Sequence, residues 1–277
     1  GKPGQEKPGL IDADGKLRDL SGVVADIGPG TLDDKTLSKL AKLKTDKLPL
    51  VKGKQRLGCP VSHVTQFIAI GLNYADHAAE TGNPIPKEPI IFIKANSAYA
   101  GPNDDVKRPR GSKKLDWEVE LGIVIGKTAQ YVPESQAMDY VAGFCVCNDV
   151  SERAWQKSDR TLWRAKNCDT WKPMGPFITT GLDPMNLIVS VNVNGQQVAE
   201  YSTSKMIFSA QRYIAEISKY MTLLPGDIIL TGTPEGVGPI EDGDTVSVST
   251  GSANKGFSLK HSVAALRQKT GLDKVET

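Results

Sequence analysis

Apolar and polar positions divide the chain into two unlike stretches. In residues 1–60 the apolar positions are sparse and grouped. Residues 10–20 read as two short strands joined at Asp14-Gly15, a pair that tolerates the positive φ a tight hairpin turn needs. Leu32, Leu37, Leu40 and Leu43 recur at helical spacing, which predicts a helix over 31–43 with Thr31 or Asp33 as N-cap. Residues 53–60 read as a linker. From residue 64 the pattern changes to short apolar runs punctuated by Gly and Pro. It predicts strands at 67–72, 90–94, 117–125, 140–148, 177–180, 187–193, 227–231 and 244–249. Asn194-Gly195 after the alternating run 189–193 is a two-residue hairpin signal, and Leu224-Pro225-Gly226-Asp227 is a turn that delivers another strand. Helices are predicted at 75–81 and at 209–220, where Ile214, Ile217 and Met221 form one stripe. The expected fold class is mainly β with α (α+β): a small N-terminal domain over 1–60 and a catalytic-sized domain over 64–277.

Composition narrows the function classes. With 34 Lys plus Arg against 32 Asp plus Glu in 277 residues, the net charge of +2 leaves no surplus for nucleic-acid binding. The basic cluster Lys107, Arg108, Arg110, Lys113 and Lys114 lies beside Asp104, Asp105 and Asp116 and reads as a solvated loop. Four Cys without a C-x-x-C pair exclude a zinc ribbon and a thioredoxin-type site. No apolar run is long enough to cross a bilayer, so no membrane partner is expected. Residues 1–8 carry Lys2, Glu6 and Lys7 and do not resemble a signal peptide, so the expectation is a soluble cytoplasmic protein.

Candidate chemistry centres on Asp116-Trp117-Glu118-Val119-Glu120-Leu121-Gly122. On a strand, Glu118 and Glu120 share a face while Trp117, Val119 and Leu121 cover the other. Adjacent carboxylates repel unless a cation neutralises them; the alternative is an acidic pair facing solvent on an edge strand. Asp149 ends the apolar run 140–147, either as a ligand or as the cap of the next turn. Three carboxylates without a matching His or Cys cluster point to a hard cation, Mg²⁺ or Mn²⁺. Arg153 and Gln156, three apart at a helix start, share a face, and Lys166 follows. His77 and Glu80 stand i, i+3, so that the carboxylate can fix the imidazole as a base, or simply neighbour it on a helix surface. The flanking Gly82 and Pro84 make this helix a candidate lid. The segment Thr231-Gly232-Thr233-Pro234-Glu235-Gly236-Val237-Gly238 lacks a phosphate-loop ending and could hold a carboxylate on its amides and hydroxyls.

Together Gly-Leu-Asn-Tyr-Ala-Asp-His at 71–77, Asp-Trp-Glu-Val-Glu-Leu-Gly at 116–122, Asn-Asp-Val-Ser-Glu-Arg at 148–153, Pro-Gly-Asp-Ile-Ile at 225–229 and Thr-Gly-Thr-Pro-Glu-Gly-Val-Gly at 231–238 resemble the fumarylacetoacetate hydrolase family over about residues 64–265. The resemblance implies a mixed β-sandwich roll with a small N-terminal α/β domain, a homodimer, and action on 2-oxo acids with a further carbonyl. It implies Glu118, Glu120 and Asp149 as Mg²⁺ (or Mn²⁺) ligands. Lys166 would be the cation beside the metal, His77 and Glu80 the water-activating pair, and Arg153, Gln156 and Thr233 the substrate contacts. The implied activity is hydrolysis of a carbon–carbon bond in an acylpyruvate, with 2,4-diketo-3-deoxy-L-fuconate or L-rhamnonate favoured. A ureidoglycolate lyase, an oxaloacetate decarboxylase or isomerase of the same family, and a non-catalytic metal-binding scaffold are the alternatives.

Overall fold

The computed structural model describes residues 1–252 and 255–265, with side chains through residue 251. Residues 266–277, which the sequence boundary 64–277 includes, and the side chain of His261 lie outside it. Its centre is a seven-stranded mixed sheet, in the order β4 (Ile90–Lys94), β3 (Phe67–Gly71), β14 (Ile228–Leu230), β8 (Val119–Ile125), β9 (Val141–Asn148), β11 (Lys172–Thr179) and β5 (Tyr99–Ala100). A five-stranded sheet runs β13 (Gln196–Ser202), β12 (Ile188–Val193), β16 (Thr245–Ser252), β17 (Lys255–Ala265) and β6 (Val106–Arg108). A small sheet of β10 (Ser151–Glu152), β7 (Leu115–Asp116) and β15 (Pro239–Ile240) lies at the junction, and β1 (Gly9–Ile11) pairs with β2 (Leu17–Asp19) near the N-terminus. The helices are α1 (Asp34–Ala41), α2 (Ala75–Glu80), α3 (Arg153–Ser158), α4 (Trp163–Lys166) and α5 (Ala210–Tyr220). This is the mainly β arrangement with α expected from the strand pattern, curled as the family resemblance implies. Among the described residues no helix is long and apolar enough to cross a membrane.

Alternation along the strands distributes the core over two faces of the large sheet. Ile68, Ile70, Leu121, Ile123, Ile125 and Ile229 pack with Tyr213, Ile214 and Ile217 of α5. Phe67, Ala69, Val124, Cys145, Cys147, Met174 and Leu230 face the other way, where Leu32 and Val61 of the N-terminal stretch join them. A third cluster joins the sheets: Val119 and Val146 meet Val189, Val191, Val246 and Val248. β8 runs between β14 and β9, and Glu118, just before it, and Glu120, within it, are both buried. The alternative of an acidic pair facing solvent on an edge strand is therefore excluded.

Local signals account for most of the elements. Asp33, rather than Thr31, caps α1 by accepting from Thr36 N at 3.0 Å, while Thr31 Oγ1 accepts from Gly28 N at 2.9 Å. Ser209 caps α5 through Arg212 N. Asn194 (φ 53°) and Gly195 (φ 84°) form the two-residue turn between β12 and β13, both positions at the positive φ that a type I′ hairpin requires. Two expectations need correction. The predicted strand over 117–125 is broken: β7 pairs with β10 and β15, Trp117 N donates to Gly238 O, and β8 starts only at Val119. The chain changes sheets at Glu118. The predicted strand at 177–180 begins earlier: Pro173-Met174-Gly175-Pro176 already belongs to β11, whose pairing with β9 shifts register after Gly175.

Asp227 fixes where β14 enters the sheet. Its buried carboxylate accepts from Thr65 Oγ1, from Gln66 N and Nε2 at 2.8 Å each, and from Leu224 N at 2.7 Å. It thereby clamps the 224–227 turn to the start of β3. Asp227→Ala strips an acceptor from two backbone amides at once and should cost about 2 kcal/mol. Urea unfolding with a lowered midpoint and an unchanged slope would record this; an unchanged midpoint would remove Asp227 from the clamp.

Candidate active site

Glu118, Glu120 and Asp149 meet at one end of the large sheet. Each offers an oxygen within 4.8 Å of the others, and they are only 2%, 3% and 0% exposed. Backbone geometry fixes them: Asp149 N donates to Glu118 O at 2.7 Å and Glu118 N to Asn148 Oδ1 at 2.9 Å, while Gly232 N donates to Glu120 Oε2 at 2.8 Å. Asp149 does not cap the following helix. That position falls to Glu152, whose side chain accepts from Ala154 N at 3.0 Å and from the amides of Lys113 and Lys114.

Buried carboxylates demand compensation, and four cations supply it. Lys94 Nζ lies 2.6 Å from Asp149 Oδ2, and Lys172 Nζ lies 2.7 Å from Asp149 Oδ1. Lys166 Nζ bridges Glu118 Oε2 at 2.5 Å and Asp149 Oδ2 at 3.2 Å. Arg153 donates from Nε to Asp116 Oδ2 at 2.7 Å and from Nη1 to Gln156 Oε1 at 2.8 Å, with Nη2 2.7 Å from Glu118 Oε1. The Lys172–Asp149 Oδ1 and Arg153 Nη2–Glu118 contacts are close but poorly aligned, ion pairs without a good hydrogen bond. Lys94, Lys166, Lys172 and Arg153 thus equal Glu118, Glu120, Asp149 and Asp116 in number, but three of them meet at Asp149 and, among the described residues, none forms an ion pair with Glu120.

The compensation is uneven. Burial works to raise the Glu118 carboxyl, but Lys166 and Arg153 outweigh it and hold the group down at about 2. Burial likewise opposes Asp149, yet Lys166, Lys172 and Lys94 together keep it well below the usual carboxylate range. Glu120 goes the other way: burial, with Asp149 and Glu118 adding repulsion, pushes it well above that range. Burial pulls Lys94 down to about 7 against the attraction of Asp149. The cluster is therefore short of positive charge at Glu120. An all-oxygen donor set, buried and closely grouped, fits a hard divalent cation that would make up the shortfall.

The second group of residues lies on α2. His77 is 7% exposed, and its Nδ1 is 3.1 Å from Glu80 Oε2. Glu80 also accepts from Gly236 N, 3.1 Å from each carboxylate oxygen. The 231–236 segment therefore holds Glu120 at Gly232 and Glu80 at Gly236, linking the two groups of side chains. Gly232 (φ +89°) is required there, because a Cβ would come within 2.9 Å of Asn73 Cβ and 3.0 Å of Ile70 O. Asn73 supports the segment by donating to Thr231 O at 2.8 Å. The carboxylates predicted to sit on this loop's amides are thus the chain's own. The hydroxyls of Thr231 and Thr233 are buried and make no hydrogen bond among the described residues.

The structure gathers Glu118, Glu120, Asp149, Lys166, Arg153 and Gln156 in one network. It pairs His77 with Glu80, and sets Thr233 in the loop that joins the two groups. Sequence reading missed Lys94, Lys172 and Asp116. Asp116, assigned above to a solvated loop, is 5% exposed and holds Arg153. The signal for Lys94 was a lysine ending the apolar run Ile90-Ile91-Phe92-Ile93, and Lys172 follows the buried Trp171 directly.

The sequence pattern described as "Fumarylacetoacetate (FAA) hydrolase C-terminal" matches residues 66–264, well over half of the chain. The chain belongs to the fumarylacetoacetate hydrolase family. A member from Burkholderia lata, named provisionally as a hydrolase, is 50% identical over 242 residues, 86% of each protein. The crystal structure titled 5-carboxymethyl-2-hydroxymuconate delta-isomerase from Mycobacterium smegmatis superimposes with a TM-score of 0.67 at 42% identity, covering 73% of this chain and 77% of that one. Maleylpyruvate hydrolase from Sphingobium sp. SYK-6 gives a TM-score of 0.79 at 30% identity, over 94% and 96%. Hydrolases and isomerases both stand among these relatives of the family.

Proposed function

We propose that the chain is a divalent-cation-dependent hydrolase that cleaves a carbon–carbon bond in a 2,4-dioxo acid of the acylpyruvate type, giving pyruvate and a second carboxylic acid. The observation that carries this reading is the His77 Nδ1–Glu80 Oε2 contact at 3.1 Å, on a helix joined to the carboxylate cluster by the 231–236 segment. An ionised Glu80 keeps the proton on Nδ1 and leaves Nε2 to take one from water. That water adds to the C4 carbonyl; the C3–C4 bond breaks, its electron pair passes to C3, and C3 takes up a proton. Held by Glu118, Glu120 and Asp149, Mg²⁺ or Mn²⁺ would supply Lewis-acid polarisation of the substrate's oxygens. The Lys166 ammonium offsets negative charge developing on the departing pyruvate unit. Thr233 has a buried hydroxyl that makes no hydrogen bond among the described residues and can meet a substrate oxygen; Arg153 Nη2, poorly aligned with Glu118, is a second donor, and Gln156 Oε1 holds the Arg153 guanidinium in place.

Charge supports an anionic substrate. Four carboxylates already have four cations, so a divalent ion makes the pocket net positive. The Sphingobium relative is named for maleylpyruvate, itself an acylpyruvate. Within that class 2,4-diketo-3-deoxy-L-fuconate and L-rhamnonate are the first candidates by analogy, and a homodimer in the cytoplasm belongs to the same proposal. The isomerase title of the Mycobacterium smegmatis structure favours a second reading, in which a double bond moves without attack by water.

A panel of acylpyruvates and dioxo sugar acids, assayed for pyruvate with Mg²⁺ and with EDTA, separates these readings. Hydrolysis is expected to release pyruvate from at least one compound and to fall at least about a hundredfold in EDTA, as removal of a Lewis acid worth several kcal/mol requires. Isomerised product without pyruvate would replace the hydrolase by the isomerase.

A further inference from the structure

Lys172 is anchored differently from the other cations around Asp149. Its side chain is fully buried (0% exposed), on strand β11. Nζ donates to Val150 O at 2.8 Å while it faces Asp149 Oδ1 at 2.7 Å, and it lies 5.7 Å from the centre of the Trp171 ring. Trp171 in turn stacks on Trp155 of α3, ring centres 6.3 Å apart and planes 16° from parallel. Lys172 is thus tied to a backbone carbonyl and set beside the buried Trp171, which the half-buried Trp155 backs. Lys166 comes instead from the last residue of the short helix α4 and bridges Glu118 Oε2 to Asp149 Oδ2. Of the two Asp149 oxygens, Oδ2 is therefore the one shared with Glu118, and Oδ1 is the one turned to Lys172.

We propose that Lys172 is a permanent counter-ion that acts through Asp149: it reserves Oδ1 and part of the carboxylate's charge, and so sets the affinity of the Glu118–Glu120–Asp149 cluster for a divalent cation. The inference rests on the reading of that cluster as a cation site. A cation held by Glu118, Glu120 and Asp149 would compete with Lys166 and Lys94 for Glu118 Oε2 and Asp149 Oδ2, whereas Lys172, on the other oxygen of Asp149, would keep its place and its field. Lys172 has two opposed effects. It stabilises the cation-free protein by compensating Asp149, and it weakens cation binding by repulsion. A residue that merely shaped the pocket would affect both in the same direction.

Titration calorimetry with Mn²⁺, beside thermal melting of the cation-free protein, distinguishes these roles. In Lys172→Met the cation should bind at least tenfold more tightly while the cation-free protein melts at a lower temperature. Lys172→Gln keeps a donor for Val150 O without the charge; it should also bind at least tenfold more tightly and serves if the Met variant does not fold. Lys172→Arg keeps the charge and should retain an affinity close to that of the wild type. Unchanged or weaker Mn²⁺ binding in the folded neutral variants, with normal binding to the wild type, would overturn the role of Lys172 alone. No Mn²⁺ binding by the wild type would overturn the cation site itself and this proposal with it.

Discussion

His77→Ala is expected to lower kcat by about 10²- to 10⁴-fold, the usual contribution of a positioned general base. Affinity for the divalent cation should stay at the wild-type level, because the ring pairs with Glu80 and not with the carboxylate cluster. The loss should be smaller for Glu80→Gln, which keeps a group in contact with Nδ1 but no longer stabilises an imidazolium. The measurement is steady-state pyruvate release at saturating cation, paired with calorimetric cation binding. A His77→Ala protein with full turnover would remove water activation from α2 and move the assignment toward isomerisation.

The largest effect on stability should come from Asp149→Asn. This carboxylate is contacted by Lys94, Lys166 and Lys172, and its side chain is 1% exposed. Neutralising it leaves buried ammonium groups with one partner fewer, a loss of about 3–5 kcal/mol when one member of a buried pair is removed. For a chain of this size that is roughly a 10 °C fall in melting temperature. Cation binding should disappear with it, and saturating Mg²⁺ should not restore the melting point. Wild-type melting together with wild-type cation affinity would show that Asp149 neither anchors the lysines nor binds the ion.

The parts of this site that were legible in the sequence are those written in local spacing. Period two puts Glu118 and Glu120 on one face, and the i, i+3 rule joins His77 to Glu80 and Arg153 to Gln156. The end of an apolar strand marks Asp149. Lys94 was not legible, because its partner lies 55 residues away and a lysine closing a strand ordinarily points to water. Contacts from Gly232 to Glu120 and from Gly236 to Glu80 span 112 and 156 residues, and no local pattern announces them. The break at Glu118 escaped for a related reason. Strand alternation continues through 117–125, but Trp117 is taken by Gly238 across the small sheet, and pairing partners are not encoded in periodicity.

The position of β14 bears on how the protein is made. This three-residue strand lies between β3 and β8, with Ile228 opposite both Phe67 and Val124. As the chain emerges from the ribosome, β8 with Glu120 is synthesised about a hundred residues before the strand that closes that flank. Until then, an apolar strand offers an open edge to any extended neighbour, and the large sheet stays in two halves. Closure by so distant a segment is a high-contact-order event, which slows folding and makes it cooperative. Chains stalled before residue 228 should therefore be caught by chaperones or lost to aggregation, and the carboxylate cluster should form only as the last central strand docks.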